Sequence, residues 1–237
     1  QSQKLALFCE SGIDIAIICD FADVKDMSPE EFVSDVLINK CHVDTAICGF
    51  NFTFGKNASG SAEDLREFME SHGKNAVIVA PVKCENDIAN SSSIRVMIER
   101  GDMENARKML GRYFFLEAAV EGGNKIGRTI GVPTINQFFP ENSVIPKRGT
   151  YASKCVIDGK EYISVSNVGL RPTVSENGAR NCETHIIDFS GNLYGKTVKV
   201  EFCKYIREEI KFDSLEKLGD RIKKDIDFTK TYFYNKG

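Results

Sequence analysis

Residues 149–169, GTYASKCVIDGKEYISVSNVG, hold two runs rich in β-branched and aromatic residues on either side of Asp158-Gly159. An Asp-Gly pair accepts the positive φ angles of a tight hairpin turn, so this stretch predicts two antiparallel strands folded back on each other. Downstream, KTVKVEFCKYI (196–206) alternates polar and apolar residues as a half-buried strand does. Short strands at this spacing predict a small closed barrel rather than an open sheet. The last stretch, FDSLEKLGDRIKKDIDFTKTYF (212–233), opens on Asp-Ser and carries helical periodicity, which predicts a terminal helix packed on that barrel.

Upstream the grammar differs. IDIAIICDF (13–21) is a continuous apolar run of strand length, SPEEFVSDVLINK (28–40) carries a Ser-Pro-Glu-Glu helix start, and DTAICGF (44–50) reads as strand again, together a β-α-β unit. SAEDLREFMESHG (61–73) repeats the helix signals and NAVIVAPV (75–82) supplies a further strand. Strands alternating with helices imply a parallel sheet with helices on its faces, whose ligands sit at the carboxyl ends of the strands. SSIRVMIERGDMENARKMLGR (92–112) reads as two short helices about Gly-Asp, after which the period changes. The expected domains are therefore 1–112 and 113–237.

The chain has 237 residues, 42% of them hydrophobic and 27% charged, which suits two soluble domains each able to bury a core. A net charge of -3 argues against a dominant nucleic-acid surface. No apolar run approaches the length of a membrane span, and the first residues show no signal-peptide pattern, so a cytoplasmic protein is expected. The eight cysteines form no C-x-x-C pair and several sit in apolar runs, which reads as reduced, mostly buried thiols.

GRTIGVPTIN (127–136) concentrates turn-formers and oxygen ligands. Its glycines let successive N–H groups converge on an anion, and Thr134 and Asn136, two apart, present oxygens to one side of an extended segment. Hard oxygen ligands of this type suit Mg2+ and a phosphate, although a plain hairpin turn stiffened by Pro133 accounts for the same residues. NCETHIIDFSGNLYG (181–195) places Glu183 and His185 on one face of a predicted strand, and a carboxylate there could accept a hydroxyl proton or simply face solvent. In the first half, Phe50, Phe52 and Phe54 alternate, forming either core or a wall for a flat ring. Asn51 and the Gly55-Lys56 turn fall at a strand end, and Ser91, Ser92 and Arg95 open a helix whose N–H groups favour phosphate or are ordinarily capped.

Residues 113–232 resemble the riboflavin kinase module. GRTIGVPTIN resembles its nucleotide-loop signature, and YISVSNVGLRPTV (162–174), ETHIIDFSGNLYG (183–195), YIREEIKF (205–212) and FDSLEKL (212–218) follow in the family's order and spacing. Residues 1–110 resemble the adenylyltransferase module that precedes this kinase in bacterial bifunctional FAD synthetases, through SPEEFVSDVL (28–37), GFNFTFGKNASG (49–60) and SSSIRVMIERGD (91–102).

The resemblance implies a Rossmann-like α/β nucleotidyltransferase domain followed by an all-β six-stranded Greek-key barrel with a C-terminal helix. It implies transfer of a phosphoryl group from ATP to riboflavin, giving FMN, and adenylylation of FMN to FAD. Gly127, Arg128, Thr129, Gly131, Pro133, Thr134 and Asn136 would meet the ATP phosphates, Thr134 and Asn136 would hold Mg2+, and Glu183 would act as base. Arg207 and Glu208 would lie near the flavin. In the first half Asn51, Phe54, Gly55, Ser91, Ser92 and Arg95 would bind nucleotide. Departures are Glu121 in place of a histidine, Val132 in place of an aromatic, less usual Ile135 and Gln137, and Ala89-Asn90 in place of an apolar residue and a serine. The family's opening strand and its G-x-F-D-x-x-H-x-G-H segment have no counterpart, so the first domain is expected to enter its fold late and adenylyl transfer by this sequence is expected to be doubtful. Two readings stand beside this one: a riboflavin kinase whose first half is only structural, and a barrel that holds flavin without turnover.

Overall fold

The two halves form separate clusters of contacts, Gln1–Ile88 and Ala89–Gly237. The computed structural model describes residues 2–84, 87–123, 126–141, 143–170 and 180–235, with Ser2, Ile126 and Arg128 described through their backbones alone.

The first unit opens with α1 (Ser2–Glu10), α2 (Phe21–Val24) and α3 (Pro29–Glu31), which continues as a wide π-helical stretch, Phe32–Lys40. Ser28 and Glu31 close a capping box at the start of α3, each side chain meeting the other's backbone N–H. Then come β1 (Thr45–Gly49), the short pair β2 (Thr53–Phe54) and β3 (Gly60–Ser61), α4 (Ala62–Ser71), β4 (Asn75–Val79) and the small pair β5 (Lys83–Cys84) and β6 (Asp87–Ile88). Strands β1 and β4 pair in parallel from Thr45↔Asn75 to Gly49↔Val79. One face of that pair packs on a core of Val33, Phe54, Leu65 and Met69, while Ile47, Val77 and Val79 on the other face are exposed.

The strand expected over 13–21 is not formed. Residues 13–20 run without regular structure, their isoleucines 13, 15, 17 and 18 are exposed, and Phe21 already belongs to α2. Apolar sequence becomes strand only where a neighbour offers ladder hydrogen bonds, and among the described residues the parallel sheet holds β1 and β4 alone. The β-α-β unit of this half is thus β1-α4-β4. Phe50 and Asn51 occupy a turn rather than a strand, so the aromatic alternation survives only in Phe52 and Phe54, whose rings stack with centroids 5.5 Å apart.

The second unit begins with α5 (Ser91–Arg100) and α6 (Met103–Leu110), each ended by a left-handed glycine, Gly101 and Gly111. Their apolar faces put Ile98, Met103 and Ala106 into the barrel's core. Contacts therefore part the units at 88/89, whereas the change of sequence period falls at 112/113. The barrel follows: β7 (Phe114–Ala119), a helical turn α7 (Ile126–Thr129), β8 (Ile135–Phe138), β9 (Gly149–Ile157), β10 (Lys160–Leu170), β11 (Arg180–Ile186), β12 (Thr197–Arg207) and the terminal helix α8 (Leu215–Tyr234). Six antiparallel strands lie in the order β7-β12-β9-β10-β11-β8. At the predicted hairpin Asp158 has φ 48° and Gly159 has φ 77°, and the ladder begins immediately beside them at Lys160↔Ile157.

Period-two alternation points Tyr151, Cys155, Val168, Cys182, Val200 and Phe202 inward. The bore also holds a chain of buried hydroxyls, with Ser153 Oγ at 2.8 Å from Ser164 Oγ and 2.7 Å from Ser166 Oγ, and Ser166 Oγ at 2.8 Å from Thr184 Oγ1. Between β8 and β7 the barrel is closed by a bridge, Glu121 N–H donating to Asn136 O at 2.8 Å, and by a side chain. Gln137, fully buried, donates its amide N–H groups to the carbonyls of Ala118 and Val198 at 2.7 Å each.

Cys155, Cys182 and Cys203 are buried as expected, but Cys9 and Cys19 are exposed, since the runs that carry them do not enter a core. Burial pushes the Cys155 and Cys203 thiols up to about 12 and Cys182 up to about 11. Two outcomes are expected. Gln137→Ala should lower the unfolding free energy by about 1–3 kcal/mol, read from the urea midpoint, because the buried Val198 carbonyl and the half-buried Ala118 carbonyl each lose a donor. Thiol titration at pH 8 should label Cys9 and Cys19 in the folded protein, and Cys155, Cys182 and Cys203 only after denaturation, since a raised pKa keeps each thiol protonated below it.

Candidate active site

The ladder registers align one polar row across five strands of the barrel. Asn136 on β8 stands opposite Glu183 on β11, Glu183 opposite Asn167 on β10, Asn167 opposite Thr150 on β9, and Thr150 opposite Arg207 on β12. Residues opposed across a ladder share a face, with Cβ atoms about 5 Å apart. Their chain neighbours Gln137, Cys182, Val168 and Tyr151 fill the bore, so the row lies on the outer surface.

Helix α8 roofs that surface. Between them lies a cavity of about 350 Å³ with Thr134, Thr150, Asn167, Glu183 and His185 on the barrel side. Ile210, Phe212, Leu218 and Ile222 form an apolar wall opposite. Asn181 donates to Glu183 Oε1 at 3.3 Å and so orients the carboxylate. A second cavity, of about 540 Å³, is lined by Val120, Pro133, Phe189, Leu193 and Tyr194. Thr134 lines both.

The loop leading to Thr134 is folded tightly on itself. Val132 N–H donates to Gly127 O at 2.8 Å, and Gly131 turns the chain at φ 74°. A Cβ on Gly127 would stand 2.3 Å from the Val132 carbonyl oxygen, so only glycine fits. Gly127 lines the first cavity and Pro133 the second. Thr129 is exposed on α7, and Arg128 is described through its backbone alone. The Asn136 amide lies beneath Gly123, where a Cβ would sit 2.2 Å from its Nδ2. Residues 171–174 of the LRPTV segment lie outside the described residues.

Arg207 and Glu208 take different places. The Arg207 guanidinium donates to Asp225 through Nε at 3.0 Å and Nη2 at 2.6 Å, and to the Glu208 carbonyl through Nη1 at 2.9 Å. Asp225, 1% exposed, also accepts from Arg221 Nε at 3.2 Å. Arg207 edges the cavity, but its fork ties α8 to β12. The Glu208 carboxylate pairs with Lys147 at 3.0 Å along a neighbouring open groove, and it is Glu209, not Glu208, that joins Glu183 and Asp225 in lining the cavity.

In the first unit Asn51 follows the carboxyl end of β1, as the sequence implied. Phe54 is buried in the core, and Gly55, at φ 73°, lies so close to Pro29 that a Cβ would stand 2.8 Å from it. Ser91, Ser92 and Arg95 are exposed on the first turns of α5, within the second unit, and Asn90 caps that helix by accepting from Ser93 N–H at 2.8 Å. Sequence reasoning passed over Thr150, Asn167 and Asn181. Counting back from the Asp158-Gly159 turn pairs residue 150 with 167 and would have found the first two.

Residues 110–233 match the riboflavin kinase family model and residues 1–93 the FAD synthetase model. Bifunctional riboflavin kinase/FMN adenylyltransferases are similar along almost the whole chain: that of Listeria monocytogenes is 31% identical over 98% of this chain and 73% of its own length, and that of Bacillus subtilis 33% identical over 94% and 71%. This chain belongs to that family. A crystal structure from Streptococcus pneumoniae, described as a macrolide-efflux protein, superposes with a TM-score of 0.86 at 30% identity, covering 97% of this chain and 74% of that one. Among the described residues no helix is long and apolar enough to cross a membrane.

Removing one partner of the Arg207–Asp225 pair leaves a charge buried without its counter-ion. Asp225→Ala is expected to cost about 3–5 kcal/mol in urea unfolding, and the paired change Arg207→Met with Asp225→Leu should cost less than Asp225→Ala alone.

Proposed function

We propose that the second unit transfers the γ-phosphoryl of ATP to the 5′-hydroxyl of riboflavin, and that the chain's adenylyltransferase half serves to join FMN to an adenylyl group from ATP, giving FAD and pyrophosphate. The observation that carries the kinase reading is Thr134, which lines two cavities at once, one of them facing Glu183. Phosphoryl transfer needs two substrates in separate pockets with the reacting groups meeting at a shared wall.

The cavity beneath α8 has an apolar wall suited to a flat ring and a polar row suited to a ribityl chain. The second cavity, with Pro133, Phe189 and Tyr194, is the place for the nucleoside of ATP. Glu183, held by Asn181, takes the proton of the attacking hydroxyl as its oxygen bonds to the γ-phosphorus, while the bond to the β-phosphate oxygen breaks and ADP leaves. Asn167 and Thr150 extend the row along which the substrate's hydroxyls would bind. The Thr134 hydroxyl and the Glu183 carboxylate are hard oxygen donors lining one cavity, and Asn136 stands opposite Glu183 on the neighbouring strand, a set whose chemistry suits Mg2+. Thr134 and Asn136 would hold that ion, which supplies positive charge to the transferring phosphates.

In the first unit the candidate group for adenylylation is Asn51, on the turn beyond β1; Ser91, Ser92 and Arg95, on the N-terminal turn of α5, are candidates within the second unit. Phe54 lies in the core of the first unit and Gly55 packs against Pro29.

Incubation with riboflavin and Mg-ATP, followed by chromatographic separation of the flavins, tests both halves. FMN followed by FAD is the expected result. FMN alone sinks the adenylyl part, and tight riboflavin binding without product sinks the kinase. Glu183→Gln is expected to lower kcat for FMN formation by about 10²–10⁴ while riboflavin affinity stays near that of the unaltered protein, and an undiminished kcat removes Glu183 from the chemistry.

A further inference from the structure

We infer that His185 is a positioning residue that fixes the nucleotide loop to the strand carrying Glu183. The inference rests on the kinase reading for its consequence, but the contact itself is independent of it. The β8–β11 ladder runs from Asn181↔Phe138 to Thr184↔Ile135 and stops there. One step further His185 would face Thr134, and the residue before Thr134 is Pro133, which has no N–H to give a ladder. What Pro133 retains is its carbonyl. The His185 Nδ1 lies 2.8 Å from that oxygen.

A carbonyl oxygen can only accept, so Nδ1 carries the proton in this contact, and His185 is among the residues that line the cavity. The side chain thereby ties the loop to β11 just past the point where the ladder stops. Its effect passes to Thr134, the next residue and the wall common to both cavities. His185 also lies two residues beyond Glu183 on the same face of β11. One strand thus bears both the base and the tether of the loop opposite it, which sets the distance between base and phosphate ligand. Displacements of about 1 Å between such groups are worth about 10²-fold in rate.

Asn and Leu separate a lost donor from a lost shape. Both branch at Cγ, and the Asn Nδ2 stands where the His Nδ1 stood, whereas Leu has no donor. Hydrogen exchange of peptides spanning 127–134 should rise in His185→Leu and stay at the unaltered level in His185→Asn. In parallel, His185→Leu should lose about 10- to 100-fold in kcat/KM for Mg-ATP, with riboflavin affinity within about twofold, and His185→Asn should recover most of the loss. Unchanged exchange in His185→Leu, or equal impairment of the two variants, overturns the proposal. Failure of the unaltered protein to form FMN defeats the kinase reading instead, and the exchange comparison still decides the tether.

Discussion

Everything placed at the site depends on ladder register. Side chains alternate across a strand, so a slip of one residue between β10 and β11 would turn Glu183 into the bore and bring Cys182 or Thr184 to the surface. The Asp158-Gly159 turn fixes the pairing of β9 with β10, and in the bore the linked hydroxyls of Ser153, Ser166 and Thr184 carry that register on to β11. Polar groups inside a small barrel are costly unless paired, and here the pairing is what gives them specificity.

The roof obeys a different logic. Helix α8 is apolar toward the cavity, yet its attachment is centred on a buried ion pair between Arg207 and Asp225. Such a pair adds little net stability over a hydrophobic contact, but it accepts one geometry, because both forks must meet. The C-terminal helix is therefore aimed rather than merely attached. That explains why Arg207 stands beside the cavity without offering its guanidinium to it.

Much of the second unit was legible in sequence because its signals are local. The Asp-Gly turn, the alternation of 196–206 and the Ser214 cap of α8 each depend on a few adjacent residues. Segment 13–21 was not legible, since an apolar run becomes strand only beside a partner that local sequence does not reveal. Within the site, Thr134 and Glu183 both line one cavity. Glu208 is turned to the neighbouring groove, because the pairing of Lys147 with its carboxylate depends on how two distant segments cross. The tether made by His185 was not legible either, as its partner is a backbone carbonyl that no sequence pattern marks.

The two kinds of ion pair around the cavity will answer differently to ionic strength. Counter-ions reach Lys147–Glu208 and Arg148–Glu209, both half-open to solvent on the groove rim, and screen them over about 10 Å at 0.1 M salt. They do not reach Asp225. Rising salt should therefore slacken the rim while leaving the roof in place, so that the groove beside the cavity under α8 is the compliant part of this surface and the helix above it the rigid one.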